Sequence, residues 1–423
     1  VKADWLDARA ALDRILETVA RLDPMETPVD DCLGHVLAEP VVAGVDLPPW
    51  DNSAMDGFAV RSADLAGPTT LPVSDDIPAG GMPRGPLASG TAARVMTGAP
   101  VPPGADSVIR VEHTRQRGGP GHAWQVELTE TGDAGRNIRP RGEDITRGQT
   151  VLATGTLLRG AHLAVAASVG CVALRVVRRP RVALLATGDE LVTVNRFDEV
   201  RAGRRIVSSN SHALMAQVRE SGCEPVDLGI AADDPVAIER ALGRAEGVDA
   251  VITSAGISVG EHDHLKEVLQ GFGLEKGFWR ARIRPGSPLA FGLVRGLGGV
   301  PWFGLPGNPV STMVTFEIFV RPALHAMAGE TDVHLPSLPV RFTGEYGGKR
   351  ELTHFVRARL RGAGEGALPD AVPTGGQGSG ILTSMANAEV LVVVPPEPGR
   401  ARPGDHLRAM LLGGRPLSPA PAF

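Results

Sequence analysis

The sequence predicts a multidomain chain in which a doubly wound, parallel-sheet α/β domain is set between β-rich regions. Three observations carry that expectation. From residue 178 to 330, apolar strand-like runs alternate with helical patterns, as a parallel sheet covered by helices on both faces requires. On either side, short apolar runs are punctuated by turn residues, with 53 glycines and 35 prolines in the chain, which suits short strands and turns better than a helical bundle. A chain of 423 residues is also too long for one hydrophobic core.

Taken in order, the opening "WLDARAALDRIL" reads as an amphipathic helix with Trp5, Leu6, Ala8, Leu12 and Ile15 near one face. Residues 22 to 178 show no long helical pattern except around Gly160 to Val169. In "LPPWDNSAMDGFAVR", Leu47 to Arg61, Pro48 and Pro49 impose an extended entry. Asp51, Asn52 and Ser53 favour a turn, and Gly57 ends it as "FAVR" begins a strand. Asp56 then stands at a turn-to-strand junction, where a carboxylate is held rigidly yet faces solvent. "AARVMTG" and "DSVIRVE" read as short strands, and "RQRGGPGH" as an exposed hairpin tip.

After Arg178 to Arg181 the pattern changes. "VALLATGDEL" is an apolar strand ending in a polar turn, followed by a helix near 211 to 221 and the strand "EPVDLGI". A helix begins at "DDPVAIERAL", then come the strand "DAVITSAGIS", a helix over about 263 to 270, and the long helix "PVSTMVTFEIFVRPALHAMA". From Ser337 onward "LPVRFTGEY", "THFVRARL", "EVLVVVPP" and "HLRAMLL" predict a small separate barrel.

Composition excludes several function classes. A net charge of −5 argues against a generally basic nucleic-acid binder. The cysteines, Cys32, Cys171 and Cys223, stand far apart without CxxC spacing, which disfavours a disulfide framework or zinc ribbon and leads us to expect a cytoplasmic protein. No apolar run reaches the length of a membrane span, and the opening segment has no signal-peptide core. GxGxxG, HExxH and a Walker A loop are all missing.

The candidate chemistry lies in loops at strand ends, where open α/β sheets bind ligands. "TGDEL" carries Asp189 and Glu190. "GIAADDP" carries Asp233 and Asp234, the latter also a natural N-cap before Pro235. "TSAGISVGEHDH" brings Ser258, Glu261 and Asp263; His262 and His264 flank that aspartate, but no second His/Cys cluster lies nearby to complete a transition-metal site. In "LPGNPVS", Asn308 caps a helix whose first N–H groups suit an anion. Positive charge comes from Arg139 and Arg141 in "NIRPRGEDI", beside Glu143 and Asp144, and from Arg280, Arg282 and Arg284 in "FWRARIRPGSPLAFG". The last three alternate at period two, which places them on one face of a strand. Arginine forks suit tetrahedral oxyanions, and carboxylates beside them suit Mg²⁺ holding a phosphoryl group.

Eight segments in order, "DNSAMDGFAVR", "RVMTGAPVPPGAD", "NIRPRGEDI", "VALLATGDEL", "GISVGEHDHLK", "RPGSPLAFG", "GLPGNPVS" and "GGQGSGILTS", closely resemble one family. It is the MoeA proteins, the molybdopterin molybdenumtransferases, and the chain is similar also to the E domain of gephyrin. The resemblance implies insertion of molybdate into the dithiolene of adenylated molybdopterin with release of AMP, assisted by Mg²⁺. It implies an N-terminal helix over 1–22 and an elongated domain of two segments, 23–45 and 139–177. A β-rich insert follows over 46–138, then a MogA-like α/β domain over 178–330 and a C-terminal β-barrel over 331–423. It further implies a homodimer with the site between subunits, and transient contact with the adenylyl-transferring enzyme. Carried over by position, Asp56, Asp144, Glu190, Asp234 and Asp263 match acids linked to activity, with Glu190 and Asp263 toward the metal. Asp56 would face the neighbouring subunit's α/β domain alongside Thr97 and Asp144. Ser258 lies near the adenylate or metal. Arg284, Ser287 and Pro288 match the molybdate pocket, with Arg357 and Ser379 brought by the barrel; Arg280 and Asn308 complete the substrate-binding set. The chain departs from the family pattern where lysines are usual at Arg280 and Arg284, where "PGSP" replaces "PGKP", and where "TSAG" replaces an "SGG" type loop. These departures suggest an alternative, a non-catalytic or weakly catalytic molybdopterin-binding carrier of the same fold.

Overall fold

The structure, a computed structural model, describes residues 5–255, 264–362 and 368–413. Its centre is a seven-stranded sheet in the order Trp5–Leu6, Leu274–Ala281, Pro288–Val294, Val300–Leu305, Ala250–Ser254, Arg181–Thr187, Glu224–Ala231. The strands from Val300–Leu305 to Glu224–Ala231 run parallel, and Pro288–Val294 runs antiparallel to both its neighbours. Successive residues of Arg181–Thr187 point to opposite faces. Val182 and Leu184 pack with Leu214, Val218 and Ile15, whereas Ala183 and Leu185 pack with Ile238, Leu242 and Leu269. Both faces are therefore covered by helices, which explains why these strands read as unbroken apolar runs.

Two expectations are corrected here. Trp5 and Leu6 are not helical: they form an edge strand parallel to Leu274–Ala281, with Trp5 opposite Arg280. The helix is Ala8–Thr18, started by Asp7, whose side chain accepts from Ala10 N at 2.8 Å. Asn52 and Ser53, read as turn residues, instead form a buried strand antiparallel to Ile138–Arg139.

The strands Pro24–Pro28, Ala173–Val177 and Val36–Leu37 make one small sheet. Next to it Val41–Val42 pairs with Thr150–Leu152. Between these two segments the chain departs into a six-stranded sheet that includes Gly57–Val60, Ala92–Val95 and Ser107–Arg110. Its entry and exit are tied together. Leu47 bridges Ile145, and the Asp46 carboxylate accepts from Arg147 N at 2.7 Å and Arg141 Nε at 2.6 Å. Among the described residues no hydrogen bond or ion pair joins residues 46–145 to the α/β region. The two-segment region does reach it, through Arg179 Nη2 to Leu33 O at 2.8 Å and Arg178 N to Asp23 O at 3.4 Å.

At the other end, Thr353–Arg361, Asp370–Pro373, Ser337–Phe342, His406–Leu411 and Val390–Val394 pair in turn, and the last pairs back with the first. This closed five-stranded barrel has no free edge. A sixth strand, Ile283–Arg284, joins it in parallel with Arg284 opposite His354. The arginines of "FWRARIR" therefore do not share one strand face: Arg280 ends a strand of the central sheet and Arg284 belongs to the barrel sheet.

Candidate active site at the seam of sheet and barrel

A cleft of about 610 Å³ opens at the carboxyl ends of the central strands, lined by Glu190, Asn210, Ser254, Pro288, Pro306 and Asn308 among others. Glu190 follows Arg181–Thr187 across Gly188, whose φ is +142°. A Cβ at Gly188 would stand 2.7 Å from the Glu190 carboxylate, so glycine is what lets this acid fold back over the strand end. The neighbouring acids are structural. Asp189 accepts from Asp233 N at 3.1 Å, tying two loops together, and Asp234 caps the helix Pro235–Leu242 by accepting from Ala237 N at 2.8 Å. Asp234 does not line the cleft.

Asn210 was not anticipated. Its Nδ2 donates to Ser254 Oγ and to Gly307 O, both at 2.8 Å, so the start of the helix Ser209–Glu220 clamps two strand ends together. The only sequence signal was the small polar run "SSNS" before a helix. The chain enters 256–263 from the cleft wall at Ala255, whose φ is +76°. The candidate residues Ser258 and Asp263 lie in that segment, outside the described residues.

The barrel side supplies the cations. Arg357 is fully buried; its Nε donates to Ser384 Oγ at 2.9 Å and its Nη2 to Gly376 O at 3.0 Å and Gly378 O at 3.1 Å, while Nη1 has no partner among the described residues. Burial lowers its pKa from the usual guanidinium value. Arg284 is exposed at the seam. Nearby, His354 Nε2 donates to Lys349 O at 2.8 Å, so its Nδ1 accepts from the Tyr346 hydroxyl at 3.0 Å. Burial raises the Tyr346 pKa and lowers that of His354, and the charge of Arg284 pulls both down. Burial and the Arg284 charge together disfavour the protonated imidazole.

The two halves share a core in which Phe355 and Leu391 pack with Val310 and Val314, and they are joined by one turn and by bonds such as Thr353 N to Arg282 O at 2.9 Å. Ser287 donates to Ile283 O at 2.6 Å and closes the turn that carries Arg284 into Pro288. Gly286 has φ +105°, and a Cβ there would lie 2.3 Å from Thr315 Cγ2. Ser379 O accepts from Val310 N at 3.0 Å, so one first-turn N–H expected to be open to an anion is taken by the barrel loop; Asn308 holds the N-cap position without a side-chain cap. Arg280 stacks over Trp5 with its guanidinium carbon 5.2 Å from the ring centroid, opposite Pro288 in the ladder.

The insert carries the remaining candidates. Asp56 Oδ1 accepts from both Thr97 N and Thr97 Oγ1 at 2.7 Å, and these bonds, the backbone one first, hold its pKa below the usual carboxylate value. Asp56, Thr97 and Asp144 are all exposed. Among the described residues nothing bonds Asp144 to the Asp56–Thr97 pair; its backbone N donates to Leu47 O at 3.0 Å. Within one chain, then, Glu190, Pro288 and Asn308 line the cleft, while Arg284, Ser287, Arg357 and Ser379 belong to the turn and the barrel strand and loop beside it. Asp56 and Thr97 stand on the insert, and Asp144 stands at its root, bonded to Leu47.

This architecture, an α/β sheet with a ligand cleft at its carboxyl edge joined to a barrel and a tethered β-rich insert, matches known proteins along its length. Residues 6–170 match the MoeA N-terminal region (domain I and II), 183–326 a probable molybdopterin binding domain, and 339–412 the MoeA C-terminal region (domain IV). A molybdopterin molybdenumtransferase of Nostoc sp. is 36% identical over 371 residues, 86% of this chain and 83% of that protein. Molybdopterin molybdenumtransferase 2 of Mycobacterium tuberculosis is 35% identical over 405 residues, 93% of this chain and 96% of its own. The crystal structure of the molybdopterin biosynthesis moeA protein of Pyrococcus horikoshii superposes with a TM-score of 0.80 at 27% identity, covering 96% of this chain and 100% of that one. The chain belongs to the MoeA family, the molybdopterin molybdenumtransferases, enzymes of molybdenum cofactor biosynthesis.

Proposed function

We propose that the chain inserts molybdate into adenylated molybdopterin and releases AMP, acting with Mg²⁺ as a cytoplasmic homodimer. The observation that carries this reading is the seam itself: a cleft with one projecting carboxylate, Glu190, reaches Pro288, at the end of the turn after Arg284, and Asn308, whose helix is bonded to the barrel loop that also receives the buried Arg357. Molybdate is a tetrahedral dianion, and guanidinium forks are the side chains best shaped to bind it. Ser287, Pro288 and Ser379 would shape that end, and Asn308 and Ser258 the nucleotide end. Arg280 adds positive charge beyond Pro288.

The residues present fit Mg²⁺. Glu190 and the surrounding hydroxyls and carbonyls are hard oxygen donors. Among the described residues no three His, Cys, Asp or Glu side chains gather as a metal site. Ligation by one or two carboxylates, here Glu190 with Asp263, plus substrate phosphate and water is ordinary for this ion. Bound there, Mg²⁺ would supply charge stabilisation at the phosphate linkage that breaks as AMP leaves. The protein's own groups would position molybdate and keep water from the linkage.

The homodimer reading rests on the insert. Asp56, Thr97 and Asp144 have no bonded route to the cleft of their own chain among the described residues, so we assign them to the cleft of a second copy. Asp234, which caps a helix outside the cleft, would act by holding its loop. We retain the division of the chain at residues 22, 45, 138, 177 and 330 as part of this reading. The test is incubation of purified protein with adenylated molybdopterin, molybdate and Mg²⁺, following AMP release, with light scattering for the dimer. Tight pterin binding without AMP release would favour the carrier reading, and transient contact with the adenylyl-transferring enzyme would show as faster delivery of the substrate. A protein that stays monomeric at micromolar concentration would remove the shared site.

A further inference from the structure

We propose that the outer face of the barrel strand Thr353–Arg361 carries a second oxyanion site, built on Arg359 and Arg361, that takes small tetrahedral dianions. It rests on the function proposed above only in naming molybdate as the dianion consumed. The strand's alternation sets up the site. Val356, Ala358 and Leu360 fill the barrel interior, so Arg357, Arg359 and Arg361 project from the other face at steps of about 7 Å. The first is buried against the helix Leu382–Ala386 and the loop before it. The other two line a separate cleft of about 290 Å³ with Val372, Pro373, Thr374 and Asn387.

That cleft is both ordered and positive. Arg359 donates through Nε to Asn387 O at 2.9 Å and through Nη2 to Asn387 Oδ1. This fixes the plane of the guanidinium and leaves the rest of its five N–H donors for a ligand. The Arg361 side chain makes no hydrogen bond or ion pair among the described residues. Among the described residues the nearby acids are engaged elsewhere: Asp370, cross-strand from Arg361, is held in a fork by Arg341 at 2.6 and 2.9 Å, and Glu389 accepts from Leu360 N at 2.9 Å. Two guanidiniums without a carboxylate between them recognise a compact dianion better than a single charge. The volume lies at the small end for ligand pockets, too small for a pterin nucleotide.

The outer cleft also shares a wall with the inner arginine. Thr374 Oγ1 bonds Ser384 Oγ and Ser384 O, both at 2.8 Å, and Ser384 Oγ receives Arg357 Nε. A dianion held at Arg359 and Arg361 is thus one strand step from the buried arginine, and the outer site would raise the local concentration of oxyanion at the seam.

Equilibrium dialysis of the full chain against labelled molybdate, without pterin, tests the site. Arg361→Gln and the double variant Arg359→Gln with Arg361→Gln should weaken molybdate binding, the double variant by at least about tenfold. Sulfate should displace the label from wild type, and chloride at matched ionic strength should not. Unchanged binding in Arg361→Gln and in a folded double variant overturns the proposal, as does equal displacement by chloride, which would mean diffuse charge only. The two readings fail separately. Variant-sensitive binding in a protein that releases no AMP would retain this site and remove the proposed reaction; AMP release with variant-insensitive binding would do the reverse.

Discussion

Asp56 is gripped by one threonine through both its N–H and its hydroxyl, at 2.7 Å each, and the same geometry makes it a clean target. Asp56→Asn keeps an acceptor oxygen for Thr97 and removes only the charge. We expect the melting temperature to stay within about 2 °C, while molybdate-dependent AMP release falls by about 100-fold; normal turnover would withdraw Asp56 from the site. Ser287 differs, because its hydroxyl is committed to Ile283 O at 2.6 Å. Ser287→Lys gives up that bond, worth about 1 kcal/mol of stability, and adds an ammonium beside the proposed dianion. At about 4 Å such a charge contributes on the order of one to several kcal/mol. The molybdate concentration for half-maximal AMP release should therefore fall, with adenylated-pterin binding nearly unchanged; poorer use of molybdate would mean that Arg284 and Arg357 already supply the charge. Single residues were also where the sequence was least legible. Nothing in "THFVRARLR" distinguishes a buried Arg357 from the exposed Arg361, because burial is decided by the helix Leu382–Ala386, which packs on the strand from elsewhere in the chain. Asn210 was invisible for the same reason: its partners are 44 and 97 residues away.

At the scale of elements, the long final helix of the α/β domain is interrupted by a π-helical turn, Phe316–Val320, between Pro309–Thr315 and Arg321–Met327. Glu317 lies inside it, 5% exposed, and accepts from Gln217 Nε2 at 2.6 Å and from Arg321 Nε at 2.6 Å and Nη2 at 3.0 Å. Removing one member of a buried ion pair strands the other, so Glu317→Ala should cost about 3–5 kcal/mol, read as a lower urea midpoint with an unchanged slope. The helix as a whole was legible, because Pro309 at the first turn and an apolar face mark it locally. The strand–turn–helix loops "TGDEL" and "LPGNPVS" were legible for the same reason: one strand and the turn after it lie within a few residues of each other. "FWRARIR" misled because period two is obeyed within each of two successive short strands. The change of sheet between Arg280 and Arg284 is set by distant ladder partners, Pro288 and Trp5 for Arg280 and His354 for Arg284. Trp5 and Leu6 misled by sitting in phase with the helix that follows, while their ladder partners, Arg280 and Ala281, are far away in sequence.

For the whole molecule, the insert is the part least bound to the rest. Inside it Asp133 holds Arg110 through Nε at 3.0 Å and Nη2 at 2.8 Å, and that fork, ahead of its other contacts, brings the Asp133 pKa down to about 2. A carboxyl depressed on folding stabilises above its unfolded pKa near 3.8, and that contribution disappears as pH falls through about 2. Hydrogen exchange between pH 4 and 2 should therefore show residues 47–145 losing protection in wild type, with a weaker pH dependence in Asp133→Asn; equal pH dependence in both would assign the acid sensitivity elsewhere. The tie at the root of the insert has a wider consequence. Because Leu47 bridges Ile145 and Asp46 grips Arg147, the chain leaves and re-enters its parent region at almost one point, and Val41–Val42 already pairs with Thr150–Leu152 below it. The excursion is a cassette, and it can be grafted. A chain cut after Asp46 and resumed at Arg147 through a Gly-Gly joint should fold and bind adenylated pterin, yet release no AMP until mixed with a second copy whose cassette is intact and whose own cleft is disabled. Recovery in such mixed pairs is the complementation expected when one subunit's acids serve the cleft of its neighbour, and it would let relatives exchange cassettes without rebuilding the pocket they act on.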